Sequence, residues 1–149
     1  MPSCHTCELI QRRDAGIAPA WDCIHRTPYW DVVHSYNTTL PGWIVLVARR
    51  HITSIAELTE AEAAEFGPLM RQVAVILQDL TGCAKTYVMQ FAEQADHPHV
   101  HFHIVPRMPD LPADCRGPNI FKYLGVQEPL TEEAMNQLAL QIRAQLAGK

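Results

Sequence analysis

An α+β fold built on an antiparallel sheet is what this sequence predicts, and three observations carry that expectation. Two β-rich segments, Tyr29 to Tyr36 and Trp43 to Ala48, are joined across Pro41-Gly42, a link so short that antiparallel pairing is the simplest arrangement. From Thr59 onward the hydrophobic period changes to three and four residues, the spacing of a helix. After Gly82 two more strand-like segments follow, Ala84 to Ala92 and Val100 to Val105. Strands, then a helix, then strands again is an α+β order.

The elements can be justified in turn. Cys7 to Arg13 predicts a short helix ended by the turn signal from Gly16 to Pro19. Tyr29 to Tyr36 is rich in aromatic and β-branched residues, and Trp43 to Ala48 is an unbroken apolar run of strand length. Thr59 followed by Glu62 has capping-box spacing. Phe66, Leu69, Met70, Val73, Ile76, Leu77 and Leu80 then make one apolar helical face. Gly67-Pro68 interrupts it, which predicts either a kink or a main helix that starts with Pro68 in its first turn. Gly82 is a natural stop. Pro106 to Pro118 reads as a loop. Thr131 opens a last helix, with Glu132 and Glu133 in its first turn and Met135, Leu138, Ile142 and Leu146 on its apolar face.

The chain has 149 residues, which suits one compact domain over 1–149, and no repeat or linker divides it. Hydrophobic residues make up 48% and charged residues 19%, the balance of a folded chain rather than a disordered one. No apolar run reaches the roughly 18 residues of a membrane span. Met1 to Cys7 has neither the basic start nor the apolar stretch of a secretory signal, so the cytoplasm is the expected location. A net charge of -4 argues against a general nucleic-acid binder, which needs a basic stripe, yet permits a small phosphorylated ligand. Five cysteines, an odd number, read as thiols or metal ligands rather than a disulfide framework. Cys23, Cys83 and Cys115 are scattered and are expected to be buried, inert thiols.

The segment His99-Val100-His101-Phe102-His103 carries the strongest chemical signal. Alternate side chains of a strand share a face, so the three histidines line one side while Val100, Phe102 and Ile104 anchor the other in the core. Three imidazoles in a row on an open surface are expected. Burying imidazoles costs free energy unless each is hydrogen-bonded, so packing gives no reason to choose them. Three explanations stand: a solvated polar face, a metal-binding histidine cluster, or a nucleophilic and acid–base cluster.

His99-Val100-His101-Phe102-His103-Ile104-Val105, followed by Pro106-Arg107, resembles the alternating His and apolar motif of the histidine-triad (HIT) family. Upstream, Pro41-Gly42-Trp43-Ile44-Val45-Leu46-Val47-Ala48-Arg49-Arg50-His51 is similar to that family's Pro-Gly-His segment, which also ends in histidine. The resemblance covers about residues 4–107, leaving a C-terminal loop and helix over 108–149. It implies a HIT-like sheet of about five strands with one long central helix, a homodimer, and a nucleotide held against the histidine face. His101 would then attack the α-phosphorus, with His103 stabilising phosphoryl charge or helping the leaving group, as a cation or as a hydrogen-bonding group. A neutral imidazole is a good nucleophile near neutral pH, and a covalent intermediate splits one hard displacement into two easier ones.

Cys4-x-x-Cys7 alone is a weak metal signal. Some HIT proteins and the related galactose-1-phosphate uridylyltransferases share such an N-terminal pair, and there two histidines complete a tetrahedral zinc site. The resemblance assigns those positions to His51 and His99, giving Cys4, Cys7, His51 and His99 as a closed structural set. His99 would thus belong to the zinc while remaining part of the triad. His5 is a rival ligand, more simply read as exposed, and His25 and His34 are read as structural.

Several ligand-contacting positions depart from the family pattern. Trp43 replaces the histidine of Pro-Gly-His, and Ser35 stands where many relatives carry a ribose-binding aspartate, with Asn37 nearby as a substitute. The usual Gln and Ser/Thr phosphate contacts are replaced by Gln90 to Pro98, where Gln94, Asp96 or His97 are candidates. Arg107, and also Arg49, Arg50 or Arg116, are candidates for compensating positive charge. Trp43 and Tyr36 can be read either as base-pocket walls or as core. Three functions follow: a HIT hydrolase or transferase acting on a dinucleoside polyphosphate or nucleoside phosphoramidate, a non-catalytic nucleotide sensor of the same fold, and a zinc hydrolase with metal on the triad itself.

Overall fold

The computed structural model describes residues 3–148. Its centre is a five-stranded antiparallel sheet of β1 (His25–Arg26), β2 (Trp30–His34), β3 (Ile44–Ala48), β4 (Lys85–Met89) and β5 (His101–Arg107), in the spatial order β1-β2-β3-β5-β4. Helix α1 (His5–Asp14) precedes the sheet, α2 (Glu60–Thr81) connects β3 to β4, and α3 (Glu132–Ala147) closes the chain. The α+β class, the sheet of five strands, the long central helix and the C-terminal helix are all present.

Every residue of β2 and β3 is buried, because both faces of the sheet are covered. On one face Trp30, Val32, Leu46, Val100 and Ile104 pack against Leu69, Val73 and Ile76 of α2 and Ala139 and Ile142 of α3. On the other, Val33, Val45, Val47, Trp43 and Val105 meet Ile10 of α1 and Leu111 and Ile120 of the C-terminal segment. That segment crosses the histidine face as a short 3-10 helix, Gly117–Tyr123, tied to the β2–β3 connection by a Thr38–Leu124 bridge. The expected loop from Pro106 to Pro118 is thus partly ordered differently: Pro106 and Arg107 complete β5, and two 3-10 turns follow.

Local signals explain most boundaries. Thr59 and Glu62 form a reciprocal capping box, and Gly82 ends α2 in the left-handed conformation. Pro68 lies well inside α2, so the alternative in which it starts the helix is overturned. An interior proline costs about 3 kcal/mol, which the buried face of Leu69, Val73, Ile76 and Leu77 outweighs. Gly42 takes a φ of 90° in the β2–β3 turn, where an added Cβ would meet Leu77 at 3.1 Å and Pro106 at 3.3 Å. No helix among the described residues is long and apolar enough to cross a membrane.

Candidate active site and metal centre

Strand alternation places the triad as its spacing requires, but the surface it forms is not open. Val100, Phe102 and Ile104 face α2, while His99, His101 and His103 turn to the face covered by α1 and the C-terminal segment. His99 is fully buried and His103 is 8% exposed. The expected open row is instead divided between two environments.

His99 belongs to the first. Its Nε2–H donates to the Ala48 carbonyl at 2.6 Å, which leaves Nδ1 with a free lone pair. That Nδ1 lies 3.8 Å from Cys4 Sγ, 3.6 Å from Cys7 Sγ and 3.1 Å from His51 Nδ1, and Cys7 Sγ is 3.2 Å from His51 Nδ1. All four donor atoms fall within 4.8 Å of one another. A tetrahedral ion with sulfur at about 2.3 Å and nitrogen at about 2.0–2.1 Å has sulfur–nitrogen edges of about 3.6 Å and nitrogen–nitrogen edges of about 3.3 Å. The cluster matches those edges and can hold a metal ion. Burial, and then the neighbouring Cys4 thiol, push Cys7 up to about 11, a cost that a bound cation reverses by holding the thiolate. His5 lies outside the cluster and pairs with Glu8 instead.

His101 and His103 belong to the second environment, the wall of a cavity of about 590 Å³. His101 Nδ1–H donates to the His99 carbonyl at 2.7 Å, so its Nε2 carries the lone pair. Burial lowers the His101 pKa below its ordinary value of 6.5, partly offset by that bond, and the ring is neutral near pH 7. Trp43 is wholly buried and its indole N–H donates to His103 Nδ1 at 3.0 Å. An indole only donates, so neutral His103 carries its proton on Nε2. Burial, with a smaller contribution from His101, pushes His103 from 6.5 down to about 3. Of the two forms open to His103, the neutral hydrogen-bonding one is therefore the form present at neutral pH.

The remaining candidates divide. Ser35, Asn37, Tyr36, Gln94, Asp96 and His97 all line the cavity, and Ser35 Oγ donates to Asn37 Oδ1 at 3.4 Å. Trp43 does not line it and acts from beneath His103. Arg107 is not in the wall either: it lies on the same face as His103 but four residues along β5, about 13 Å away. Arg49, Arg50 and Arg116 are also outside, engaged with Thr27, Glu62 and Leu111. His34 is a structural clamp, donating from Nδ1 to the Ser35 carbonyl and accepting the Gly42 N–H on Nε2. Cys83 is buried, whereas Cys23 and Cys115 are only partly so.

Sequence reasoning missed four wall residues that matter. Arg13 and Asp22 meet in a buried ion pair at 2.8 Å, and Phe91 and Phe121 border the cavity with ring centroids 5.7 Å apart. Arg13 sits with Thr6 and Leu9 on one helical face, but that face mixes polar and apolar residues and gives no periodic signal.

The family model of the HIT domain matches residues 21–110, well over half of the chain and inclusive of the whole triad and His51. The chain belongs to the HIT family. No curated protein matches it. Among solved structures, the HIT-like protein involved in cell-cycle regulation from Bartonella henselae is similar over 93% of this chain and 92% of its own, with 18% identity and a TM-score of 0.69. A zinc-bound histidine triad family protein from Mycobacterium smegmatis is similar over 98% of this chain and 96% of its own, with 18% identity and a TM-score of 0.69. The diadenosine triphosphate hydrolase of Plasmodium falciparum is similar over 85% of this chain and 76% of its own, with 20% identity and a TM-score of 0.63. At these identities the likeness establishes the HIT fold. Cys4 and Cys7 lie before the matched residues, so their approach to His51 and His99 is seen only in the structure.

Proposed function

We propose that this HIT protein is a nucleotidyl hydrolase or transferase that cleaves a nucleoside phosphate derivative through a nucleotidyl intermediate on His101. The observation that carries this is the bond from His101 Nδ1–H to the His99 carbonyl, which commits Nε2 to the nucleophilic form in the cavity wall. Nε2 attacks the α-phosphorus of a dinucleoside polyphosphate or a nucleoside phosphoramidate. The bond from phosphorus to the leaving oxygen or nitrogen breaks, and that atom keeps the electron pair and takes up a proton. Water or another acceptor then attacks phosphorus, the P–N bond to His101 breaks, and the neutral imidazole returns. His103 Nε2–H is the donor for a phosphoryl oxygen or the leaving group.

The Cys4, Cys7, His51 and His99 cluster is proposed to hold zinc, whose two thiolates and two imidazoles form a closed structural site. When bound, zinc would tie the N-terminus to the segments that follow β3 and precede β5, through His51 and His99, and would supply no substrate-binding position. Cys4 and Cys7 then fix the start of α1, whose Thr6, Leu9 and Arg13 form one wall of the cavity. His99 in turn presents its carbonyl to His101. The one domain and the homodimer implied by the resemblance remain part of this proposal, the latter supported by the unpaired outer edge of β4, where Val88 is 44% exposed.

One observation favours a nucleotide-binding sensor as the alternative. Arg13 is the only Lys or Arg in the cavity wall among the described residues, and Asp22 and Asp31 already occupy it, while Glu93 and Asp96 bring negative charge. Turnover assays decide between the two. Adenosine and guanosine phosphoramidates and dinucleoside polyphosphates should be cleaved by the wild type and not by His101→Asn. Tight binding without turnover by the wild type would favour the sensor.

A further inference from the structure

Asp22 carries the only buried side-chain oxygen among the described residues with no hydrogen-bond partner in the protein. Its Oδ1 accepts from Arg13 Nη2 at 2.8 Å, and its own backbone carbonyl accepts from Arg13 Nε at 2.6 Å. Arg13 Nη1 is bonded to Asp31 at 3.1 Å. Asp22 Oδ2 is left over on a residue only 2% exposed, and burial raises the carboxyl pKa above its ordinary value. Buried acceptors in folded proteins are almost always paired, and those that are not mark places where something else binds.

The place of Asp22 in the fold says what binds. Asp22 lines the same cavity as His101 and His103. His101 is paired across the sheet with Val47, and Val47 with Asp31 on β2. Adjacent strands are about 4.8 Å apart, so Asp31, which shares Arg13 with Asp22, lies about 10 Å across the sheet from His101. That is the reach from the α-phosphorus of a nucleoside 5′-phosphate to the far edge of its base. Between the two ends Val47 forms an apolar floor, flanked by Val33 and Val45 in the His103 register, with Leu9 from α1 and Leu124 from the C-terminal segment on the same cavity wall. An apolar slot suits a planar ring better than a sugar with its hydroxyls. A carboxylate beyond the slot accepts hydrogen bonds and repels anions.

Resting on the nucleotide reading above, we infer that Asp22 is a specificity-determining residue whose Oδ2 accepts an amino or imino N–H from the edge of the bound nucleobase. Arg13 holds Oδ1 and so fixes the direction of the carboxylate. The turn that carries Asp22 is itself held, since the Trp21 N–H donates to Asn136 Oδ1 of α3 at 2.9 Å. Such a site discriminates by penalty. A base lacking the donor leaves the buried oxygen unpaired, whereas a base bearing one completes it.

The test is equilibrium binding to the metal-loaded protein of AMP, GMP, purine riboside 5′-monophosphate, whose base has no N–H on its six-membered ring, and 2′,3′-dideoxyadenosine 5′-monophosphate. The wild type should bind AMP or GMP about tenfold or more tightly than the purine riboside nucleotide, and the dideoxy nucleotide as tightly as AMP. Asp22→Asn keeps the oxygen bonded to Arg13 and turns the free acceptor into a donor. It should lose that preference, so that AMP or GMP binds no more tightly than the purine riboside nucleotide. Equal wild-type affinity for AMP, GMP and the purine riboside nucleotide would overturn the inference without the variant, as would discrimination that follows the sugar hydroxyls. A variant that keeps the base preference would overturn it too. Failure of the wild type to bind any of the four contradicts the nucleotide reading itself, and base recognition falls with it.

Discussion

The indole N–H of Trp43 donates to Nδ1 of His103 at 3.0 Å, so the residue that breaks the family's Pro-Gly-His pattern fixes the proton position of a triad histidine. Trp43 has two jobs, since it also fills the core beneath the histidine face beside Phe121. Replacing it by phenylalanine keeps most of the apolar volume and removes only the donor. Trp43→Phe should lower turnover by about tenfold, the worth of one buried hydrogen bond to a reacting group, at a stability cost of about 1–2 kcal/mol. Nitrogen NMR of His103 should change from a single Nε2–H tautomer to a mixture.

Stability should fall as the solution is acidified. His103 has its folded-state pKa pushed from 6.5 to about 3 by burial, and burial lowers His34 as well. Between these values the unfolded chain binds the proton and the folded one does not. For His103 the stabilisation is therefore complete above about pH 6.5 and is lost progressively as pH falls toward 3, at up to about 1.4 kcal/mol per pH unit, and His34 adds to the slope in the same direction. Urea denaturation at pH 7, 6 and 5 should show this slope, and His103→Gln should reduce it by about one proton.

Much of the site was legible in the sequence because it rests on short-range periodicity. Alternation alone separates His99, His101 and His103 from Val100, Phe102 and Ile104, and the capping residues Thr59 and Glu62 announce α2. The metal cluster could be assembled only through the family resemblance, because Cys4 and His99 are 95 positions apart. Other features depend on tertiary context that no local pattern carries. Two residues of β1 pair because Asp31 and Val32 lie opposite them. Arg13 and Asp22 are buried because they neutralise each other, not because of any apolar period. The covering of the histidine face comes from residues 111–124, whose prolines and glycine read as loop.

Removing the metal ligands should affect the distant end of α1 as well as the cluster. Cys4→Ser with Cys7→Ser should lose the bound metal, destabilise the protein by several kcal/mol and lower its melting temperature by roughly 10 °C. Because Thr6, Leu9 and Arg13 line the cavity, nucleotide affinity should fall with it, although neither cysteine lines the cavity. Metal analysis, calorimetry and binding on one preparation check all three. Metal retained in the double variant would rule out the proposed ligand set.

The buried charge cluster makes a separate prediction. Arg13 is bonded to both Asp22 and Asp31, and all three are at most 4% exposed. Arg13→Met leaves two carboxylates without that partner and should cost about 3–5 kcal/mol in denaturant melts. Adding Asp22→Asn to Arg13→Met should recover part of the loss, because it removes one of the uncompensated charges.

The central claim is that His101 Nε2 is the nucleophile. Its most direct measurement is rapid-quench trapping with adenosine 5′-phosphoramidate under alkaline conditions, followed by peptide mass mapping. The account predicts a transient adenylyl group on the peptide containing His101, located on that residue and absent from His101→Asn. An adduct on another residue, or normal turnover by His101→Asn, would contradict it.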